Sequence, residues 1–297
     1  MVTASAPIEL AALTLILALI GGLFPIFSKI KENPETLRRI TGISSGILLA
    51  SALLVVVPEG FELATGEHEE HEEEGHEEEE AGHEEEEAGH EEEELGNLLI
   101  GGAILAGFLM MLILEGSGIG HAIHEEHHDH HDEHGHEHVH HMTTPWLLVL
   151  GLSLHSAADG LAIGSAAAGT SEAVTALVAM AVLIHKVPAA FSLGVFSMHE
   201  REDRNDSIRD VVLFSLATPV MIMISFYALE GLDGHLIALA MLFAAGTFLY
   251  VATVDTLPDI HNPETGREAL KNVLIGVVVM VLVLYGADAV GLIEHGH

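Results

Sequence analysis

The chain has 297 residues, ten Lys and Arg against 45 Asp and Glu, and 49% hydrophobic side chains of which few are aromatic. Its mean hydropathy of +0.41 is that of a membrane protein rich in aliphatic residues, not of an aromatic-packed soluble core. The absence of cysteine excludes a disulfide framework and a thiolate metal site, and the formal charge of −35 argues against a nucleic-acid partner.

Eight apolar segments follow one another in the chain, at roughly 8–28, 40–58, 97–118, 146–169, 172–197, 210–230, 235–256 and 271–293. Each approaches the ~20 residues with which a helix crosses ~30 Å of hydrocarbon. The first lacks a basic leader, and "KIKENP" follows it in place of a small-residue cleavage site, so it is read as a retained span. The basic residues sort cleanly on this count. Lys29, Lys31, Arg38 and Arg39 fall between spans one and two, Arg201, Arg204 and Arg209 between five and six, and Arg267 and Lys271 between seven and eight. With eight spans these loops share the cytoplasmic side and both termini lie outside. The tenth cation, Lys186, lies inside span five.

Spans two and seven read as copies. Gly46 and Gly246 each stand twelve residues before a proline, Pro58 and Pro258, and an acid, Glu59 or Asp259, follows each proline. Two copied three-span units around spans four and five predict an all-α membrane protein in a 3+2+3 inverted-repeat arrangement. The chain then divides into spans one and two (1–66), an acidic insert (67–94), span three (95–118), a histidine-rich insert (119–145), spans four and five (146–198) and spans six to eight (199–297).

The two inserts are of opposite character. Between Glu59 and Glu94 there are 20 glutamates and no Lys or Arg, much of it as a HEEEEAG repeat. Self-repulsion predicts disorder there on the outer side, as a solvating linker or a means of concentrating cations. The second insert carries His121, His124, His127, His128, His130, His131, His134, His136, His138, His140 and His141 among six acids. Imidazole with carboxylate suits Zn²⁺ and similar ions, and weak multiple binding on the inner side is expected.

Ionisable groups inside a span cost ~2.5–3.5 kcal/mol each and so should face a cavity or one another. In span four, His155 and Asp159 are four apart and share a helix face. In span five, His185 and Lys186 lie at matching depth, ahead of Pro188, which should disturb the helix and free the carbonyl of Ile184. Gly160 and Gly164 form a GxxxG step, read here as letting span four press against span five. His155, Asp159 and His185 would then meet. Two neutral imidazoles and a carboxylate are a partial ligand set for Zn²⁺, with Fe²⁺, Mn²⁺, Co²⁺ or Cd²⁺ also compatible, and a fourth position stays exchangeable. The alternative is a structural hydrogen-bond network between two helices.

At these residues a family resemblance becomes specific. "HSAADGLAIGSA" resembles the fourth-span motif HNxxDGxAxG of the ZIP family of divalent metal transporters, and "HKVPAAF" resembles its fifth-span motif HExPxE. "VPEG", holding Glu59, and "TVDTLPD", holding Asp255, are also similar to family sequences and make those acids candidate pathway residues. The resemblance implies import of Zn²⁺ or related ions toward the cytoplasm by a homodimer in the plasma membrane, with the metal as substrate and no cofactor or enzymatic activity. Carried over residue by residue, the motifs give His155, Asp159 and His185 as ligands of one metal. A second family metal would need Asn at 156 and acids at 186 and 189, where this chain has Ser156, Lys186 and Ala189. The expectation is that the Lys186 ammonium stands in for that second metal, with snorkelling to an interface as the alternative. A branch of the family carries this His-Lys-x-Pro-Ala-Ala form, and "MHEREDRN" after span five is similar to it. Two rival functions are weighed: an intramembrane zinc hydrolase using the same ligands, which the absence of HExxH and the presence of Lys186 disfavour, and a receptor or metal sensor with little flux built on the histidine-rich insert.

Overall fold

The computed structural model describes residues 6–28, 34–65, 85–117, 145–201, 203–254, 263 and 265–289. The histidine-rich residues 121–141, most of the acidic insert and Asp255 lie outside the described residues. Within them the chain is helical throughout: α1 (Ala6–Phe27), α2 (Pro34–Ser51), a π-helical turn (Ala52–Val56), α3 (Val57–Thr65), α4 (Glu85–Gly116), α5 (Pro145–Gly169), α6 (Glu172–Glu200), α7 (Arg204–Leu229), α8 (Gly234–Val254) and α9 (Gly266–Ala289).

Seven of these stretches are long and apolar enough to cross a membrane, with α2, the π turn and α3 counting as one. α5 has 25 residues, enough for the same distance, with an apolar first half and a second half of small residues, and it carries His155 and Asp159. Burial is inverted relative to a soluble protein. Large apolar side chains such as Ile20, Ile113, Leu213 and Leu282 point outward, whereas the fully buried set includes Ser156, Asp159, His185, Lys186 and Thr218. Lipid is the medium that makes both halves of that pattern favourable. Buried hydroxyls bond back to their own helices, as with Ser51 to the Ile47 carbonyl at 2.7 Å and Thr247 to that of Ala244 at 2.7 Å.

Glycines decide which helices touch closely. A Cβ on Gly21 of α1 would lie 2.8 Å from the Val187 carbonyl of α6, and Gly194 of α6 abuts Gly22 and Pro25 in return. Gly160 and Gly164 of α5 abut Thr218, Ile222 and Ser225 of α7. The GxxxG seam expected between spans four and five is therefore a seam between α5 and α7. The reason is angular: Gly160 and Gly164 each follow one residue beyond the His155–Asp159 face, about 100° around the helix. Elsewhere Gly46 of α2 meets Val273 and Gly276 of α9, and Gly246 of α8 meets Ile104 and Phe108 of α4. Grouped by these seams and by the packing of α1 on α7 and α3 on α8, α1, α5, α6 and α7 form one set and α2, α3, α4, α8 and α9 the other, with Gly169 of α5 meeting Ile237 of α8 between them. Contacts between the sets run chiefly through α5 with α8 and α2 with α6.

Three local features differ from the sequence reading. Pro188 sits inside an unbroken α6, as Pro25 and Pro219 do in α1 and α7. The neighbouring seams hold those helices in place at positions where a proline costs one hydrogen bond. Ahead of Pro58 the chain widens into the π turn, where the Val57 N–H donates to the Ala52 carbonyl, five residues back. That extra residue per turn relieves the crowding a proline ring causes. Finally, α4 begins at Glu85, so the last part of the acidic insert is helical and continuous with the third apolar segment. Glu and Ala are good helix formers, and an established apolar helix beyond them removes the cost of nucleation.

Candidate metal centre

His155 and Asp159 project from one face of α5, and His185 and Lys186 from α6. All four are buried: His155 is 4% exposed, Asp159 and His185 1%, and Lys186 0%. One ligand atom from each of His155, Asp159 and His185 falls within 4.8 Å of the others, the only such group of three among the described residues. His155 Nε2 is 3.7 Å and His185 Nε2 3.3 Å from Asp159 Oδ1. Ligands at ~2.0–2.1 Å from a tetrahedral Zn²⁺ stand roughly 3.3 Å apart, so the three atoms are spaced for one ion.

The tautomer of His185 sharpens this. Its Nδ1 is 3.0 Å from the Ala181 carbonyl of its own helix, and a carbonyl only accepts. In the neutral ring Nδ1 therefore carries the proton, and Nε2 turns a lone pair toward Asp159 Oδ1, itself an acceptor. Two acceptors 3.3 Å apart need a proton or a cation between them. A divalent ion at the convergence of the three atoms answers that need.

Lys186 has a different task. Its ammonium carries three protons and meets three acceptors: Asp159 Oδ2 at 2.9 Å, Ser156 Oγ and Thr218 Oγ1. The two hydroxyl oxygens lie 2.8 Å apart, and each also has a carbonyl within reach. Thr218 Oγ1 donates to the Ser156 carbonyl at 2.6 Å, and Ser156 Oγ to the Phe214 carbonyl at 3.2 Å. The ring of Phe214 lies beneath Nζ, 4.6 Å from centroid to nitrogen, adding a cation–π contact. The whole set is consistent with a charged lysine held at the centre of the protein, and Nζ does not reach an interface. Asp159 thus divides its oxygens: Oδ2 serves the ammonium and Oδ1 faces the imidazoles.

Three residues of the centre were not foreseen. Thr218 and Phe214 come from α7, and Phe248 from α8. Phe248 is fully buried and stands edge-on to both imidazoles, with ring centroids 6.3 Å from His155 and 5.9 Å from His185. It is the side that α8 turns toward the ligands. Of the remaining candidates, Ala189 packs among apolar residues near Ala190, Leu193 and Phe214 and offers no ligand. Glu59 is half-buried in the first turn of α3 and does not belong to the three-ligand group.

The family model described as "ZIP Zinc transporter" matches residues 5–117 and 118–284. Zinc transporter ZIP9 of Xenopus tropicalis is 33% identical over 265 residues, covering 83% of this chain and 84% of the relative. Zinc transporter ZIP9 of Micropogonias undulatus is 34% identical over 287 residues, covering 89% of each. A more distant relative, zinc transporter ZIP1 of Danio rerio, is 31% identical over 164 residues, or 54% of this chain and 49% of the relative. With a buried two-histidine, one-carboxylate group set among membrane-spanning helices and a family match over nearly its whole length, the chain is a multi-pass integral membrane protein that belongs to the ZIP zinc transporter family.

Proposed function

We propose that this protein carries Zn²⁺ across the plasma membrane toward the cytoplasm, binding it through His155, Asp159 and His185, with Lys186 in the place of a second metal. The observation that carries the reading is the division of Asp159, whose Oδ1 faces two imidazole Nε2 atoms while Oδ2 is neutralised by a fully buried ammonium. One ion fits there, and the lysine leaves no acid for another. Related divalent ions, among them Fe²⁺, Mn²⁺, Co²⁺ and Cd²⁺, suit the same donors less well or equally, and the names of the relatives favour zinc.

The topology we propose is eight spans, α5 included, in a 3+2+3 inverted repeat with both termini outside. The helix pairing supports it. Exchanging spans one, two and three with six, seven and eight, and four with five, turns the α2–α9 seam into the α8–α4 seam. It also turns the α1–α6 seam into the α7–α5 seam. Gly46 and Gly246 hold equivalent places in the first of these pairs. Placement in the His-Lys-x-Pro-Ala-Ala branch rests on the motif itself, and assembly as a homodimer on the family resemblance. The histidine-rich insert would receive ions on the inner side, and the acidic insert gather them outside.

Burial on every side favours a carrier over an open pore. The ligands sit on the set of helices joined by the α1–α6 and α5–α7 seams, and Phe248 covers them from the other set. Movement of one set past the other would uncover the site on one side at a time. With neutral imidazoles the empty centre has no net charge, since Asp159 and Lys186 cancel, so a bound Zn²⁺ brings two charges into the field. An inside-negative potential of about 100 mV then favours entry by ~4.6 kcal/mol, and no further energy source is needed. Zn²⁺ uptake into sealed proteoliposomes under an imposed potassium diffusion potential tests this. Uptake should be saturable, faster when the interior is negative, and largely retained when residues 121–141 are deleted. Absence of flux by the intact, folded protein would favour the hydrolase or sensor reading, and flux indifferent to potential would contradict the charge count.

A further inference from the structure

We propose that Thr218 of α7 is a positioning residue of the metal centre: with Ser156 it holds the Lys186 ammonium on Asp159 Oδ2, so that Oδ1 alone is presented to the ion. The inference deepens the zinc-transport reading and rests on it. Nothing in the spacing of the motifs in α5 and α6 requires a third helix, yet the ammonium is completed only by one. Lysine is a point donor on a flexible stem, and a single carboxylate oxygen does not fix where its nitrogen sits. Left with Asp159 alone, Nζ could slide toward Oδ1 and compete with the ion for it. Two hydroxyls from two different helices remove that freedom. Ser156 comes from α5 and Thr218 from α7, and both lie within hydrogen-bond reach of Nζ, which meets Asp159 through Oδ2.

The Thr218 hydroxyl is itself aimed. Its proton goes to the Ser156 carbonyl at 2.6 Å, which turns the oxygen's lone pairs toward the lysine. The close α5–α7 seam makes this possible, because Gly160 lets the α7 backbone at Thr218 lie directly against α5. The same bond ties the lysine to the helix seam, so the ammonium, the carboxylate and α7 move as one piece with the ligands. The hydrogen bonds of Thr218 run to Lys186 and Ser156. Its effect passes through Lys186.

Zn²⁺ uptake into proteoliposomes separates the possibilities, with each variant normalised to correctly folded protein. Thr218→Val keeps the shape and removes the hydroxyl. It should raise KM for Zn²⁺ by about tenfold, the scale of removing an outer partner of a metal ligand, with Vmax little changed. Thr218→Ser restores the hydroxyl and should return KM to within about twofold of the parent. Ser156→Ala removes the neighbouring acceptor, and with it the bond to the Phe214 carbonyl, while leaving the α7 sequence intact; it should raise KM in the same direction, which keeps the test open if Thr218→Val does not fold. An unchanged KM in Thr218→Val or in Ser156→Ala overturns the proposal. So does a Thr218→Ser variant as impaired as Thr218→Val. Absence of Zn²⁺ uptake by the parent protein would instead remove the transport reading on which the proposal rests.

Discussion

Two buried carboxylates in this protein are each paired with a cation, and they do opposite things. Asp210, near the junction of α6 and α7, meets Arg201 through both oxygens: Nε donates to Oδ2 at 2.8 Å and Nη2 to Oδ1 at 3.1 Å. Ser197 adds a third bond to Oδ2 at 2.7 Å. No oxygen is left over, and the Ser207 hydroxyl ties the same turn to the Ser197 carbonyl at 2.9 Å. Asp159, at the centre, meets a lysine that occupies one oxygen and leaves the other to the imidazoles. The guanidinium fork closes a carboxylate and makes a clamp, whereas the ammonium neutralises one without closing it and leaves a ligand.

That contrast can be broken most forcefully at Lys186. Removing its charge in Lys186→Met leaves Asp159 buried without its counter-ion, a change that costs about 3–5 kcal/mol of stability. Thermal unfolding in detergent should show the loss, and Zn²⁺ should raise the Tm of this variant more than that of the parent, because the ion supplies the missing positive charge. A variant as stable as the parent without metal would mean that the pair is not needed. Lys186→Arg keeps the charge and imports the fork. It should lower uptake by about 10–100-fold, as the guanidinium claims Oδ1; near-parental uptake would refute the division of the two oxygens.

Acid acts on the ligand side of the comparison. A protonated imidazole cannot ligate, so KM for Zn²⁺ should rise as pH falls. Vmax at saturating metal should hold, which distinguishes competition by protons from unfolding. The smallest effect on transport is expected at the clamp. Asp210→Asn should lower stability by about 1–3 kcal/mol and leave KM for Zn²⁺ unchanged. A large KM change there would erase the distinction between clamp and centre.

That His155, Asp159 and His185 would meet was legible in the sequence for a physical reason. A histidine and an aspartate four apart in an apolar helix have few bland explanations, because lipid penalises both, and the same holds for His185 beside Lys186. The glycines were legible as close-packing sites but not as to partner, since sequence spacing gives a helix face and not its neighbour. Gly160 and Gly164 thus turned out to serve α7 and not α6. Thr218 left one signal, a hydroxyl before a proline in mid-span, yet its alignment with Lys186 depends on the relative heights of α6 and α7, which packing sets. Phe248 left none, since a phenylalanine in a membrane helix is commonplace until its ring is found against two imidazoles. The π turn before Pro58 was also hidden, because a proline announces a disturbance without specifying how the backbone absorbs it.

The central claim is that one ion crosses through the group formed by His155, Asp159 and His185. The direct measurement is Zn²⁺ flux into sealed proteoliposomes by the intact protein and by His155→Ala/His185→Ala, with both confirmed as folded. Saturable uptake by the intact protein and none above empty liposomes by the double variant is the result expected. Equal uptake by the two would contradict the claim and put the pathway elsewhere in the protein.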